Sequence, residues 1–256
     1  MAAGPETLNR PDGATLVYDR VAATGTAKAG VVFLHGLMSD RGGTKAAVLA
    51  DHCRAKGYGF VRFDMFGHGA SSGRFQDGTV TRWTEDAVAV LDHLTTGLQI
   101  LIGSSMGGWV MLRAALARVD RVAGLIGIAA GPDFTEDIMW DEFSDDERAE
   151  LQEKGVVNVQ SDYDPRPYPI SRALIEDGRK NLVLTGPPIA VTCPVRLLQG
   201  QRDTAVPWQR ALTLAEKIAG DNVDVQLIKD GDHRLSRPQD LKRLCAVLDD
   251  LMAEVP

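Results

Sequence analysis

Gln99-Ile100-Leu101-Ile102 runs into Gly103-Ser104-Ser105-Met106-Gly107 and then into Trp109-Val110-Met111-Leu112, an order that reads as strand, sharp turn and helix. The first run is apolar and of strand length. From Met106 to Val119 apolar residues recur at helical spacing, at Trp109, Leu112, Ala115, Leu116 and Val119. A Gly-x-Ser-x-Gly turn in that setting lifts the serine hydroxyl clear of the sheet edge, and the small residues two positions to either side let the backbone turn tightly. Ser105 is therefore a candidate nucleophile. The plainer alternative, a glycine-rich turn between two buried elements, must also account for the rest of the chain.

A serine hydroxyl is almost fully protonated at neutral pH, so it needs a base within hydrogen-bond reach and an acid to orient that base. On a strand-turn-helix elbow the partners follow in the order Ser, Asp or Glu, His, each after a late strand. Val195 to Gly200 reads as a strand and leads into Gln201-Arg202-Asp203, which makes Asp203 the candidate acid. Val223 to Ile228 alternates apolar and polar residues as the next strand and leads into Asp230-Gly231-Asp232-His233. His233 is the candidate base. Asp230 and Asp232 precede it too closely to reach its imidazole without an unusual fold-back. Of the five histidines, His52 and His93 fall in helical patterns and read as surface residues. His35 and His68 sit in turns after strands, where fixing the loop is the simpler role and lining the site the other.

Acyl chemistry also requires donors for the charge that develops on the attacked carbonyl oxygen. The N-H of Met106, next to the nucleophile, is one candidate. The second belongs in the loop after an earlier buried strand, and Val31-Val32-Phe33-Leu34 followed by His35-Gly36-Leu37-Met38 places it at Leu37, with Met38 as the alternative.

Strand-like runs at Ala14 to Val21, Val31 to Leu34, Phe60 to Asp64, Gln99 to Gly103, Val122 to Ala129, Val195 to Gln199 and Val223 to Lys229 alternate with helical stretches. The helices fall near Thr44 to Lys56, Thr81 to Thr95, Met106 to Arg118, Trp208 to Ala219 and Pro238 to Met252. That alternation predicts an α/β fold with a mostly parallel sheet covered by helices on both faces. In the last helix, Leu241, Leu244, Cys245, Leu248, Leu251 and Met252 form one stripe that should pack on the sheet. The 256 residues fit one domain, 1–256.

The alternation breaks between about Gly131 and Cys193, too long a stretch for a plain connection. We read 132–192 as an inserted helical cap, with helices at Ser144 to Lys154 and Ser171 to Lys180 and a rigid proline-rich turn at Asp164-Pro165-Arg166-Pro167-Tyr168-Pro169. Phe134, Ile138, Met139, Trp140 and Phe143 are its apolar candidates, either as pocket lining, with Met139, Trp140 and Phe143 foremost, or as anchors to the main sheet. Asp133 to Glu147 carries eight acidic residues and no basic one. A solvated acidic face is the simpler reading, and a field that turns away strongly anionic substrates such as coenzyme A thioesters is the other.

A formal net charge of -7 argues against nucleic-acid binding. The cysteines Cys53, Cys193 and Cys245 are odd in number and set in apolar patterns, as expected of free thiols in a reducing compartment. There is no Cys/His spacing for a metal and no dinucleotide motif after the first strand, so neither metal nor cofactor is expected. Nor is there an apolar run of about eighteen residues or a signal-like N-terminus in Met1-Ala2-Ala3-Gly4-Pro5-Glu6. We expect a soluble cytoplasmic protein without a transmembrane segment; its oligomeric state is not readable.

With Ser105, Asp203 and His233 in this order, the chain resembles the α/β-hydrolase superfamily over nearly its whole length. Leu101 to Trp109, Ser39-Asp40 with Gly43-Thr44-Lys45-Ala46, and Arg62-Phe63-Asp64 are similar to one abhydrolase-domain branch of it. So are Cys193 to Leu198, Val206-Pro207-Trp208 and Asp232-His233-Arg234. Members of that branch act as palmitoyl-protein thioesterases and as esterases of acyl glucuronides. The resemblance implies the same triad, Ser105, Asp203 and His233, acting on small-molecule or acylated-protein substrates. The branch carries a mitochondrial transit segment that is not expected of Met1-Ala2-Ala3-Gly4-Pro5-Glu6, which suggests a bacterial relative. The expected reaction is acyl transfer to water from a thioester, with small esters as the alternative. A perhydrolase activity would use the same triad, whereas a non-catalytic binding module would be expected to lack one member of it. A dehalogenase is disfavoured because the elbow carries serine in place of a carboxylate.

Overall fold

The computed structural model describes residues 5–161 and 164–255, so the first four residues, on which part of the leader expectation rests, lie outside it. Its strands are β1 (Glu6–Asn9), β2 (Thr15–Val21), β3 (Ala29–Leu34), β4 (Phe60–Phe63), β5 (Leu98–Ser104), β6 (Val122–Ile128), β7 (Val156–Ser161), β8 (Asp164–Ser171), β9 (Val195–Gly200) and β10 (Val223–Ile228). The helices are α1 (Thr44–Lys56), α2 (Val80–Leu94), α3 (Met106–Ala117), α4 (Asp145–Lys154), α5 (Arg172–Lys180), α6 (Gln209–Lys217) and α7 (Pro238–Glu254). The main sheet has the order β1-β2-β4-β3-β5-β6-β9-β10. From β4 to β10 it is parallel, and β2 runs antiparallel to both β1 and β4. β1 was not readable from sequence, because four residues of alternating half-buried and exposed character carry no apolar run.

Alternation along the central strands divides the core in two. Val31, Phe33, Ile100 and Ile102 pack with Leu49 and Cys53 of α1 and with Leu248 and Leu251 of α7. Val32, Leu34 and Leu101 face the other way, toward Trp83 of α2, Trp109 of α3 and Leu214 of α6. Each such side chain contributes about 1.5–3 kcal/mol on burial. In α7 it is Leu244, Val247, Leu248, Leu251 and Met252 that are buried, while Leu241 and Cys245 of the expected stripe are half-buried at its margin.

The segment between β6 and β9 holds both expected helices, α4 and α5, and departs from its expected form elsewhere. A π-helical turn, Thr135–Trp140, precedes α4, which a Ser144/Glu147 capping box starts. The proline-rich stretch expected as a turn is instead β8, paired antiparallel with β7. Pro165, Pro167 and Pro169 alternate, so every proline nitrogen can face away from β7 while the intervening N-H groups face it. Such spacing is compatible with an edge strand, where proline is tolerated. Phe134, Phe143, Leu151, Val157, Ile170 and Leu174 join the same apolar cluster as α3. That explains why Met106 to Leu112 is buried all round: α3 has sheet on one side and this segment on the other.

The two ends of the segment are tied together. Asp133, at φ 62°, accepts hydrogen bonds from the N-H groups of Val183 (2.9 Å) and Leu184 (2.8 Å). Burial pushes its carboxyl pKa up while those two donors pull it down. The Trp109 indole N-H donates to the Asn181 carbonyl at 3.1 Å. Arg179 pairs with Glu136 and Arg210 with Asp137, so the acidic run is partly neutralised by arginines from outside it.

Candidate active site

Ser105 stands between β5 and α3 at φ 54°, ψ −122°, a conformation that costs a side-chain-bearing residue about 1–3 kcal/mol. The surroundings enforce it. Its N-H donates to the Ile128 carbonyl at 2.9 Å, and its own carbonyl accepts from Gly108 (2.8 Å) and Gly131 (3.1 Å). The flanking glycines serve close approach and not positive φ. A Cβ on Gly103 would lie 2.4 Å from the Gly107 carbonyl oxygen, and one on Gly107 would lie 2.3 Å from the Leu34 oxygen. Both obstacles are backbone and cannot swing aside. We therefore expect Gly107→Ala to lose about 3 kcal/mol of stability in urea denaturation, against under 1 kcal/mol at an open glycine such as Gly155 if its positive φ is kept by an asparagine substitution.

The structure brings Ser105, His233 and Asp203 together. The Ser105 Oγ lies 3.0 Å from His233 Nε2, and His233 Nδ1 lies 2.8 Å from Asp203 Oδ2. The Asp203 side chain is fully buried and collects four donors. Ala205 and Val206 N-H groups reach Oδ1 at 2.9 and 2.8 Å, and Gln199 Nε2 and His233 reach Oδ2. With a carboxylate at Nδ1, that nitrogen carries the proton and donates, which leaves Nε2 to accept from the serine hydroxyl. The competing carboxylates are occupied elsewhere: Asp230 pairs with Arg237 at 2.7 Å, and Asp232 accepts from the Leu235 N-H at 2.9 Å.

Gln199 escaped the sequence reading. It is buried on β9, where every residue is buried, and its amide holds both Asp203 Oδ2 (2.9 Å) and the Val206 carbonyl (3.2 Å). A lone amide side chain in an apolar strand just before the acid was the available signal, since a buried polar group needs partners.

Leu37 follows Gly36, which packs against Ser105, and Met106 follows Ser105 itself. Gly36 is so close to Ser105 that a Cβ there would lie 3.3 Å from the serine Cβ. The Gly36 carbonyl accepts from His35 Nδ1 at 2.8 Å and from the Ser39 N-H at 3.2 Å, so the Leu37 N-H of the same trans peptide points the opposite way. Met106 begins α3, where N-H groups lack an intrahelical acceptor. Neither N-H donates to the backbone among the described residues.

The buried His35 takes the Met65 N-H on Nε2 at 3.1 Å, and its ring lies 4.8 Å from that of His68. Burial lowers the pKa of both imidazoles, that of His68 to about 3, so both are neutral fixtures of their loops. His52 bonds Asp249 at 2.8 Å, and His93 is exposed on α2. Among the apolar candidates, Phe134 packs edge-on against Trp109 with ring centres 5.6 Å apart, and Phe143 is buried. Ile138 and Met139 are partly buried, and the guanidinium groups of Arg148 and Arg179 each lie over the Trp140 ring. Among the described residues no cluster of His, Cys, Asp or Glu could hold a metal ion, and no helix is long and apolar enough to cross a membrane.

Residues 31–164 match the family model described as the alpha/beta hydrolase fold. The mitochondrial palmitoyl-protein thioesterase ABHD10 of Mus musculus is 39% identical across 96% of this chain and 81% of its own length. The solved structure of mouse alpha/beta hydrolase domain-containing protein 10 superposes with a TM-score of 0.89 at 37% identity, covering 99% of this chain and 100% of that one. A solved structure from Agrobacterium vitis S4 superposes at 0.91 with 43% identity, covering 98% of this chain and 100% of that one.

Proposed function

Because the chain belongs to the α/β-hydrolase family and is a hydrolase of the esterase and thioesterase kind, we propose that it cleaves acyl thioesters, palmitoyl-protein thioesters among them, through Ser105, His233 and Asp203. The hydrogen-bond chain Asp203-His233-Ser105, at 2.8 and 3.0 Å, carries this reading. His233 Nε2 takes the hydroxyl proton as Ser105 Oγ attacks the acyl carbonyl, while Asp203 holds the ring tautomer and stabilises the imidazolium. The N-H groups of Leu37 and Met106 receive the oxyanion. As the tetrahedral intermediate collapses, His233 passes its proton to the departing thiolate or alkoxide and an acyl-enzyme remains. His233 then deprotonates a water that attacks this ester, and the free acid leaves with Ser105 reprotonated.

The segment 132–192 serves in this reading as a cap within a single domain spanning 1–256. The half-buried Met139 and Trp140 contribute to the acyl wall, and the buried Phe143 anchors them. Three free cysteines support a reducing compartment such as the cytoplasm.

A chain-length series of p-nitrophenyl esters and matching acyl thioesters tests the substrate class. We expect kcat/KM to rise toward palmitoyl and thioesters to be cleaved at least as well as oxygen esters. A maximum at acetyl or butyryl esters, with thioesters poor, would make the protein a carboxylesterase of small esters, acyl glucuronides included.

A further inference from the structure

We propose that Lys45 is a positioning residue for the base: from the first turn of α1 it clamps the loop carrying His233 by donating a hydrogen bond from Nζ to the Arg234 carbonyl. The proposal rests on the reading of His233 as the base. Nζ and the carbonyl oxygen are 2.5 Å apart across 189 positions of sequence.

The clamp joins other ties on this loop. At its base Arg237 closes onto Asp230 and Asp240, both at 2.7 Å, and Gly231 is pressed against the neighbouring strand end, its carbonyl taking the Arg202 N-H at 2.9 Å. Between these fixed points runs His233, followed by Leu235 in a strained left-handed conformation at φ 42°. Asp232 braces Leu235 from within the loop. Asp203 holds the imidazole from one side. Lys45 holds the backbone one residue beyond the imidazole from another, and it does so from the helix that follows the Leu37 loop. The clamp thus links the strand-β3 side of the site, where the Leu37 donor of the proposed oxyanion pair lies, to the base.

The charged groups facing Lys45 are Asp232 and Arg234 of the same loop and Asp240 of α7. Burial outweighs the attraction of the two aspartates and lowers the ammonium pKa to about 8, with Arg234 adding to the fall. Below that pH the bond to the Arg234 carbonyl is charge-assisted, and above it the neutral amine makes a weaker bond and turns more freely. A loosened loop lets Nε2 drift from Ser105, and drift of that kind lowers kcat more than it raises KM.

Steady-state kinetics and the rate of fluorophosphonate labelling of Ser105 are measured from about pH 6 to 10. The proteins are wild type, Lys45→Met, Lys45→Arg and Ser105→Ala. We expect Lys45→Met to lower kcat about tenfold with KM within about twofold. The wild-type alkaline fall near pH 8 should be missing from both Lys45 variants, and Lys45→Arg, which stays charged, should recover most of the rate. Wild-type kcat in Lys45→Met, a change confined to KM, or the same alkaline fall in Lys45→Arg as in wild type would each overturn the clamp. The last comparison decides the matter even where Lys45→Met fails to fold. Undiminished turnover by Ser105→Ala would instead overturn the reading of the site on which the clamp depends.

Discussion

Replacing Ser105 with alanine is expected to lower kcat by roughly 10⁵-fold while leaving the melting temperature within a degree or two of wild type. In the proposed mechanism the hydroxyl is the one group in the Asp203-His233-Ser105 chain that forms the acyl bond, so its loss removes the covalent route. Stability changes little because alanine keeps the Cβ, and with it the strained φ of 54°. Ser105→Gly separates the two properties. Glycine adopts this backbone without strain, so this variant should be as inactive as alanine and yet more stable by about 1 kcal/mol, read from urea denaturation. An inactive glycine variant that is also less stable would mean that the elbow is unstrained, and turnover in Ser105→Ala would mean that another residue is the nucleophile.

Asp203→Asn is expected to lower kcat by about 10⁴-fold through the wrong imidazole tautomer. Four donors converge on this carboxylate, two at each oxygen. The amide oxygen must then face the N-H groups of Ala205 and Val206, which puts the NH₂ against His233 Nδ1 and Gln199 Nε2. His233 can accept that NH₂ only by moving its proton to Nε2, which no longer takes the proton of Ser105. Gln199 has no such adjustment without turning its amide away from the Val206 carbonyl, and we expect about 1–3 kcal/mol of lost stability from this clash. The measurement is kcat together with the imidazole ¹⁵N shifts, which report the tautomer directly. Full activity with Nδ1 still protonated would remove Asp203 from its role.

The main sheet was readable because its strands are short apolar runs separated by helices whose periodicity is strong, as in Val31 to Leu34 before α1 and Val195 to Gly200 before α6. The stretch at 164–169 was not, because proline breaks most local patterns and only a pairing partner shows that alternate prolines tolerate an edge. β1 was missed because it depends on β2 for its hydrogen bonds and carries no apolar signal of its own. Gln199 and Lys45 were missed because neither residue has a local role. One acts on an acid four positions away through a turn, the other on a carbonyl 189 positions away.

Chain order alone placed Ser105, Asp203 and His233 after three strands, β5, β9 and β10, and parallel pairing carries strand ends to one edge of the sheet, where residues that follow them meet. Tertiary packing decided which of Asp203, Asp230 and Asp232 faces the imidazole, which tautomer it holds, and what braces the loop that carries it. Strand and helix periodicity is a property of neighbours along the chain and is therefore written locally. A hydrogen bond requires its two partners within about 3 Å, and for residues distant in sequence only the folded backbone sets that separation.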